Sequence, residues 1–324
     1  MVDVYADRLS LEWRETAKTE LEQIFAKLRN VIVIVTEDFD KTVTKFLQKR
    51  GVTERYESQR AGGEVVVCKV VDYPSNDQMV TCLIINANAN MFSSWEKGQA
   101  KVQRMCCLIH EKTHILLNQS RYQLVGHQTY FCNPKFTIEC MSELANDISS
   151  EYIAERTAIE SLRDAREGDL TFIELPEGSL SRYFRIVAAG LFDTVNSYLK
   201  SFQAFVDDNI KQFRLKKTKI DDFWGPIYLR TRDTLNALAL SAAFAHTIPS
   251  TSPEFETVKS NHTFKQLFKD SWNEVEQILP LMYANQIKQQ KTLKTIAATF
   301  QKLFLTFGIE LRDTAYGMAV YLKV

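Results

Sequence analysis

Two histidines and a glutamate stand together at His110, Glu111 and His114, in the stretch 105-MCCLIHEKTHILLN-118. The whole chain has only five histidines. On a helix, residues four apart lie on the same face, so His110 and His114 can offer two ring nitrogens to one ion. Glu111 lies about 100° further round the helix, where it can reach a water on that ion. The spacing favours a metal-binding H-E-x-x-H motif over two polar histidines near a helix end.

A catalytic zinc needs a third protein ligand, and the next predicted helix offers carboxylates. In 144-LANDISSEYIAERTAIESL-162, one face at helical spacing is mostly apolar yet carries Asp147, Glu151 and Glu155 at successive turns. Buried carboxylates without partners are costly, so we expect a cation opposite them. Glu151, in the middle, is the predicted ligand. Asp147 and Glu155 are predicted to orient one of the two histidines by hydrogen bonding.

Short β-branched runs alternate with amphipathic helical patterns in the first half of the chain. Ser93 and Glu96 have the S-x-x-E spacing of a capping box, which is expected to open the helix that carries the histidines. The predicted elements are helices over 9–29, 39–49, 93–118 and 138–166, and strands over 31–36, 64–71 and 79–87. We therefore expect an α+β fold, with a small mixed sheet and the active-site helices in the N-terminal domain, followed by an all-α domain.

A break in the pattern at 167-EGDLTFIELPEGS-179, with glycine and proline, is the predicted domain boundary. We predict an N-terminal domain over 1–170 and an all-helical domain over 171–324 that serves as a substrate lid or as a partner-docking module. The longest apolar run, 234-TLNALALSAAFAHT-247, is too short to cross a bilayer and predicts a buried helix.

The overall composition argues against nucleic-acid and membrane partners. Lysine plus arginine and aspartate plus glutamate both total 40, so the formal charge is zero, which argues against a nucleic-acid surface. No basic segment followed by an apolar core opens the chain, so no signal peptide is expected. The six cysteines form no CxxC pair, which indicates free thiols. We expect a cytoplasmic protein with no nucleic-acid or membrane partner.

The motifs resemble those of the gluzincin zinc metallopeptidases, and most closely the ImmA/IrrE-type zincins. In that group an Asn-containing turn after a strand precedes H-E-x-x-H, and a glutamate motif follows on a later helix. The matching stretches are 83-LIINANAN-90, the HEKTH segment and 150-SEYIAERTA-158, and the order of elements agrees over roughly residues 1–165. The resemblance implies a zincin-like N-terminal domain.

The resemblance also implies a reaction. One zinc ion would be bound by His110, His114 and Glu151, and Glu111 would act as the general base in hydrolysis of a peptide or protein substrate. The substrate would add to a sheet edge at the strand over 79–87. His127 and Tyr130, in the connection between the two motif helices, are candidate donors to the oxyanion.

Two positions depart from the family pattern. Thr113 stands where these zincins usually have glycine, and Glu155 stands where aspartate or asparagine is usual. An alternative stays open, in which a regulatory or sensor protein uses the zincin module as a metal-bound binding platform with narrow or no proteolysis. Glu111→Gln separates the two, because it should abolish turnover while zinc stays bound.

Overall fold

A computed structural model describes residues 2–6, 9, 11–52, 56–57, 66–93, 95, 99–165, 179–285 and 289–323. The chain divides into two compact units, residues 1–132 with 157–177 and residues 133–156 with 178–324. Residues 167–178 of the predicted boundary stretch lie outside the described residues, as does Glu96 of the predicted capping box.

The first unit contains a four-stranded mixed sheet, as expected. Its strands are β1 (Val2–Tyr5), β2 (Val31–Thr36), β3 (Cys68–Ser75) and β4 (Gln78–Asn86). Their order is β1-β2-β4-β3, with β3 antiparallel to β4 and the other pairs parallel. Asn76 and Asp77 join β3 to β4 with φ of 48° and 59°, the left-handed pair that a tight hairpin favours.

The position of β4 corrects one expectation from the sequence. We expected the strand over 79–87 to offer an edge to substrate, but β4 is paired on both sides. A sequence pattern shows that a strand is buried, whereas its neighbours depend on chain topology. Within the described sheet, the edges are β1 and β3, and β3 contains Pro74, a residue tolerated at an edge because it has no N–H to donate.

Helices alternate with and follow these strands, and some of them carry the candidate site. They are α1 (Leu11–Phe25), α2 (Phe39–Lys49), α3 (Asn90–Ser93), α4 (Gln99–Val125), α5 (His127–Tyr130) and α6 (Thr137–Arg163). Phe39, Val43 and Phe46 on α2 belong to a buried cluster with Cys82 and Ile84 of β4. Apolar residues at this spacing on a helix and alternating on a strand give two matching faces.

The bounds of α4 differ from the predicted helix over 93–118. The helix begins at Gln99 and continues to Val125, and it ends at Gly126, whose positive φ of 77° glycine adopts without strain. The polar residues that suggested an earlier end have partners: the Asn118 amide donates to Asp72 and the Gln119 amide donates to a backbone carbonyl. The histidines therefore lie near the middle of a long helix.

A buried arginine fixes α4 against α1. Arg104 is 1% exposed, and its guanidinium donates to Glu20 at 2.9 Å and to the carbonyl of Met91 at 3.2 Å. Its planar group also lies 4.9 Å from the ring centroid of Trp95. Such multiple contacts offset the cost of burying the charge and leave the helix little freedom to rotate.

The second unit is mainly helical, as expected. Its remaining elements are α7 (Ser179–Arg214), α8 (Ile220–Thr247), α9 (Ser252–Lys259), α10 (Lys269–Tyr283), α11 (Gln289–Thr306), β5 (Ile309–Thr314) and β6 (Gly317–Leu322). The apolar run over 234–247 forms the largely buried end of α8, as predicted. Aromatic side chains, among them Phe202, Phe268 and Phe307, contact one another in the core.

The prediction that this part is all-helical is wrong, because β5 and β6 form an antiparallel hairpin. Ile309 and Leu311 alternate into the core on β5, a period-two pattern too short to stand out. Gly317 (φ 132°) directly follows the turn at residues 315–316 and begins β6, and a Cβ atom there would lie 2.8 Å from the Lys135 carbonyl oxygen. Only glycine fits that position without movement of the backbone.

Candidate metal centre

The middle of α4 is amphipathic, and this places the two histidines at the edge of the core. Leu108, Ile109 and Ile115 are buried, whereas His110 and His114 are partly exposed. Thr113 is buried, and its hydroxyl donates to the Ile109 carbonyl at 2.9 Å within the helix. Threonine is thus accommodated where the resembling family has glycine.

The rings of His110 and His114 converge. Their Nε2 atoms lie 2.9 Å apart, and the ring planes meet at 65°. Two nitrogens that bind one zinc, each at about 2.0–2.1 Å, must lie within about 4.2 Å of each other. The observed separation satisfies this limit, so the pair can bind one ion from one side.

Glu151 on α6 completes a possible donor set. One ligand atom each from His110, His114 and Glu151 lies within 4.8 Å of the others, and all three residues are partly exposed. Two imidazole nitrogens and one carboxylate oxygen are a donor set that suits zinc and related divalent ions. This group can hold a metal ion.

Glu111 belongs to a second group of ligand atoms. Its carboxylate and the sulfurs of Cys68 and Cys107 all lie within 4.8 Å of one another, and the two sulfurs are 3.4 Å apart. Burial, together with a hydrogen bond to Cys107 and the charges of Cys107 and Glu111, raises the pKa of Cys68 well above its usual value. Two thiols therefore lie beside the Glu111 carboxylate.

The other two carboxylates predicted on α6 differ in exposure. Asp147 is exposed, so the expectation that it is buried in an apolar stripe is wrong, whereas Glu155 is partly buried. Leu144 and Ile148 beside them are fully buried, as the periodicity predicts. Burial, followed by the negative charge of Asp147, raises the pKa of Tyr228. The assignment of Asp147 and Glu155 as groups that orient a histidine stays a prediction.

The candidate oxyanion donors have other partners in this structure. The Tyr130 hydroxyl donates to Asp72 at 2.7 Å, and Nδ1 of His127 lies 3.0 Å from the Tyr122 hydroxyl. Burial, followed by the charge of Asp72 and this hydrogen bond, raises the pKa of Tyr130. Their role in stabilising an oxyanion stays a prediction.

Asp72 is the centre of a polar network that sequence reasoning did not identify. It is 3% exposed, and it accepts hydrogen bonds from Thr81 at 2.6 Å, Asn118 at 2.7 Å and Tyr130. These donors come from β4, α4 and α5. The network fixes the last turns of α4 to the sheet. Asp72 directly follows the strand predicted over 64–71, and nothing local marked it as the centre of a network.

A second missed network surrounds Tyr152, the residue after Glu151. The Tyr152 hydroxyl lies 2.9 Å from Nδ1 of His246, whose Nε2 is 3.6 Å from Glu276. Lys259 donates to the same carboxylate at 3.1 Å. Burial opposes ionisation of Glu276, but the hydrogen bond from His246 and the charge of Lys259 hold its pKa below the usual value. These contacts between Tyr152, His246 and Glu276 hold in place the turn of α6 that carries Glu151.

Comparison with known proteins found no match: no family model, curated protein or solved structure matches this chain. Within the described ranges, none of the helices combines the length and apolar character needed to cross a bilayer. The described structure contains a mixed sheet, a helical second unit and a histidine–glutamate group that can bind a metal ion.

Proposed function

We propose that the protein is a zinc-dependent metallopeptidase of the gluzincin type. The observation that supports this most is the convergence of the His110 and His114 Nε2 atoms, 2.9 Å apart, with a Glu151 carboxylate oxygen within 4.8 Å. Two imidazoles and one carboxylate fit zinc in number and kind, and three protein ligands leave a position for water.

In this reaction the three metal ligands would hold the zinc ion, and Glu111 would transfer the proton. A zinc ion held by the three ligands would lower the pKa of its water from about 15.7 toward about 7 and polarise the peptide carbonyl. Glu111, next to His110 on the same helix, accepts the proton of the attacking water at a carboxylate oxygen. It then donates that proton to the nitrogen of the leaving amine.

The substrate would be a peptide in extended conformation. β3 is an edge of the described sheet, and it packs against α4. A peptide can add to such an edge through backbone hydrogen bonds, which leaves recognition of its side chains to the surrounding surface. We therefore propose β3, rather than β4, as the strand that aligns the substrate.

The test is peptide hydrolysis by the zinc-loaded full chain, measured on a peptide mixture by mass spectrometry. We expect cleavage that Glu111→Gln reduces by about 10²–10⁴-fold, the usual contribution of a general base. The exposed Glu12 on α1 provides a control, Glu12→Gln, with wild-type rates. Cleavage that persists in Glu111→Gln would overturn the mechanism. Zinc binding without any cleavage would instead favour the binding-platform alternative.

A further inference from the structure

Two cysteines far apart in sequence lie against Glu111. Cys68 is the first residue of β3, and Cys107 lies on α4, four residues before Glu111 and on the same helix face. The Cys107 and Cys68 sulfurs are 3.4 Å apart, and with a Glu111 carboxylate oxygen they form a set within 4.8 Å. This thiol–carboxylate group shares no residue with the histidine–glutamate group.

The distances suit a metal ion. A zinc ion lies about 2.3 Å from thiolate sulfur and about 2.0–2.2 Å from carboxylate oxygen, so two sulfurs on one ion must be within about 4.6 Å. The observed 3.4 Å satisfies this limit. Cys68 is buried, whereas Cys107 and Glu111 are partly exposed, so an ion has a route in from the solvent side.

The chemical character of the three groups also favours a cation. Each of them becomes negative when it loses its proton, and no attraction among them offsets the cost of burying those charges together. A divalent ion supplies that attraction, and binding releases the two thiol protons to solvent. Two soft sulfur ligands select a thiophilic ion of the zinc class over magnesium or calcium.

A disulfide is the competing use of such a pair. In this structure both cysteines are free thiols, and a bonded pair would be about 2.03–2.05 Å apart. The carboxylate at ligand distance is the feature that favours the metal.

We propose that Cys68, Cys107 and Glu111 form a second metal site, which binds a thiophilic divalent cation of the zinc class through two thiolates and one carboxylate. The site rests on these distances and not on the peptidase proposal; because Glu111 is also the proposed general base, an ion bound here would occupy that carboxylate and lower peptide hydrolysis. The site would exist even if the histidine–glutamate group had another function.

The test is titration of the reduced, metal-free full chain with Co²⁺, followed by absorption. Cobalt bound by thiolate gives a sulfur-to-metal charge-transfer band in the near ultraviolet, which nitrogen and oxygen ligands do not give. We expect that band in the wild type, and its loss in Cys68→Ala and in Cys107→Ala. Cys106→Ala is the matched control, because Cys106 is the neighbouring cysteine on α4 and lies outside the group. It should keep the band.

Further variants separate this site from the proposed active site and from loss of folding. His114→Ala should keep the thiolate band but bind less cobalt in total, because it removes a ligand of the histidine–glutamate group. If His114→Ala binds as much cobalt as the wild type, the histidine–glutamate group is not a metal site, whereas the thiol site is unaffected. Glu111→Gln keeps both thiols and the side-chain shape, and it should weaken the cobalt affinity measured through the band by roughly tenfold or more. Absence of the band in the wild type, its survival in both cysteine variants, or an unchanged affinity in Glu111→Gln would overturn the proposal.

Discussion

The Tyr130 hydroxyl donates a 2.7 Å hydrogen bond to the buried carboxylate of Asp72. This bond joins α5, just beyond the end of the motif helix, to the middle of β3. A donor to a charged acceptor in such a setting contributes more than an ordinary hydrogen bond, and its loss leaves the acceptor partly unsatisfied.

Tyr130→Phe is therefore expected to lower the free energy of unfolding by about 1.5–3 kcal/mol, because it removes only that hydroxyl. Urea denaturation followed by circular dichroism measures the change. Tyr316 is 99% exposed, so Tyr316→Phe serves as the matched control and should shift stability by less than about 0.5 kcal/mol. Equal effects of the two substitutions would show that the Asp72 bond contributes nothing.

The sequence predicted the local elements well and the long-range contacts poorly. The helix over 138–166 and the strand over 31–36 have strong periodicity of their own, and the structure has them at Thr137–Arg163 and Val31–Thr36. Asp72 and Tyr130 are 58 residues apart, and nothing local marks them as partners. Cys68 and Cys107 likewise become neighbours only because β3 packs against α4.

Local signals also fail where a short pattern competes with a longer one. The hairpin of β5 and β6 follows a long helical region, and its alternation covers only six residues in each strand. The histidine pair, by contrast, could be found from spacing alone, since four residues on a helix fix two side chains on one face. Glu151 was predicted as the third ligand from the helical spacing of three carboxylates on α6, and the structure places it with the two histidines in a group that could hold a metal ion.

The Glu276 network predicts a pH dependence. Because the pKa of Glu276 in the folded protein is below its usual value of 4.5, its ionisation stabilises the fold above pH 4.5, and this contribution is lost as the pH falls further, through the lowered pKa of the folded state. Glu276→Gln should lower stability by about 1–2 kcal/mol at pH 7. The difference in the free energy of unfolding between Glu276→Gln and wild type should become smaller below about pH 4.5.

Chemical denaturation of both proteins between pH 7 and about pH 3 measures that difference. Glu254, in the first turn of α9, is exposed and offers the control Glu254→Gln, with no gap at either pH. A difference between Glu276→Gln and wild type that stays constant over the whole range would contradict the role given to ionised Glu276.

The carboxylates that flank Glu151 are expected to differ in their effect on zinc affinity. Glu155 is partly buried and Asp147 is exposed, so a hydrogen bond that Glu155 accepts from a histidine N–H is less weakened by water. Glu155→Gln should lower the zinc affinity by about 10–100-fold, and Asp147→Asn by much less. Competition with a chelating dye measures both constants. The reverse order would reassign the residue that orients the histidines.

The most direct test of the central claim is the zinc content of the Cys107→Ala protein, in which the second proposed site is removed. We expect about one zinc per chain, held by two imidazoles and one carboxylate. Adding His114→Ala or Glu151→Ala to this protein should reduce the bound zinc to near zero at equal free zinc, while circular dichroism shows a folded chain. Undiminished zinc in both of these double variants would contradict the assignment of His110, His114 and Glu151 as a metal centre.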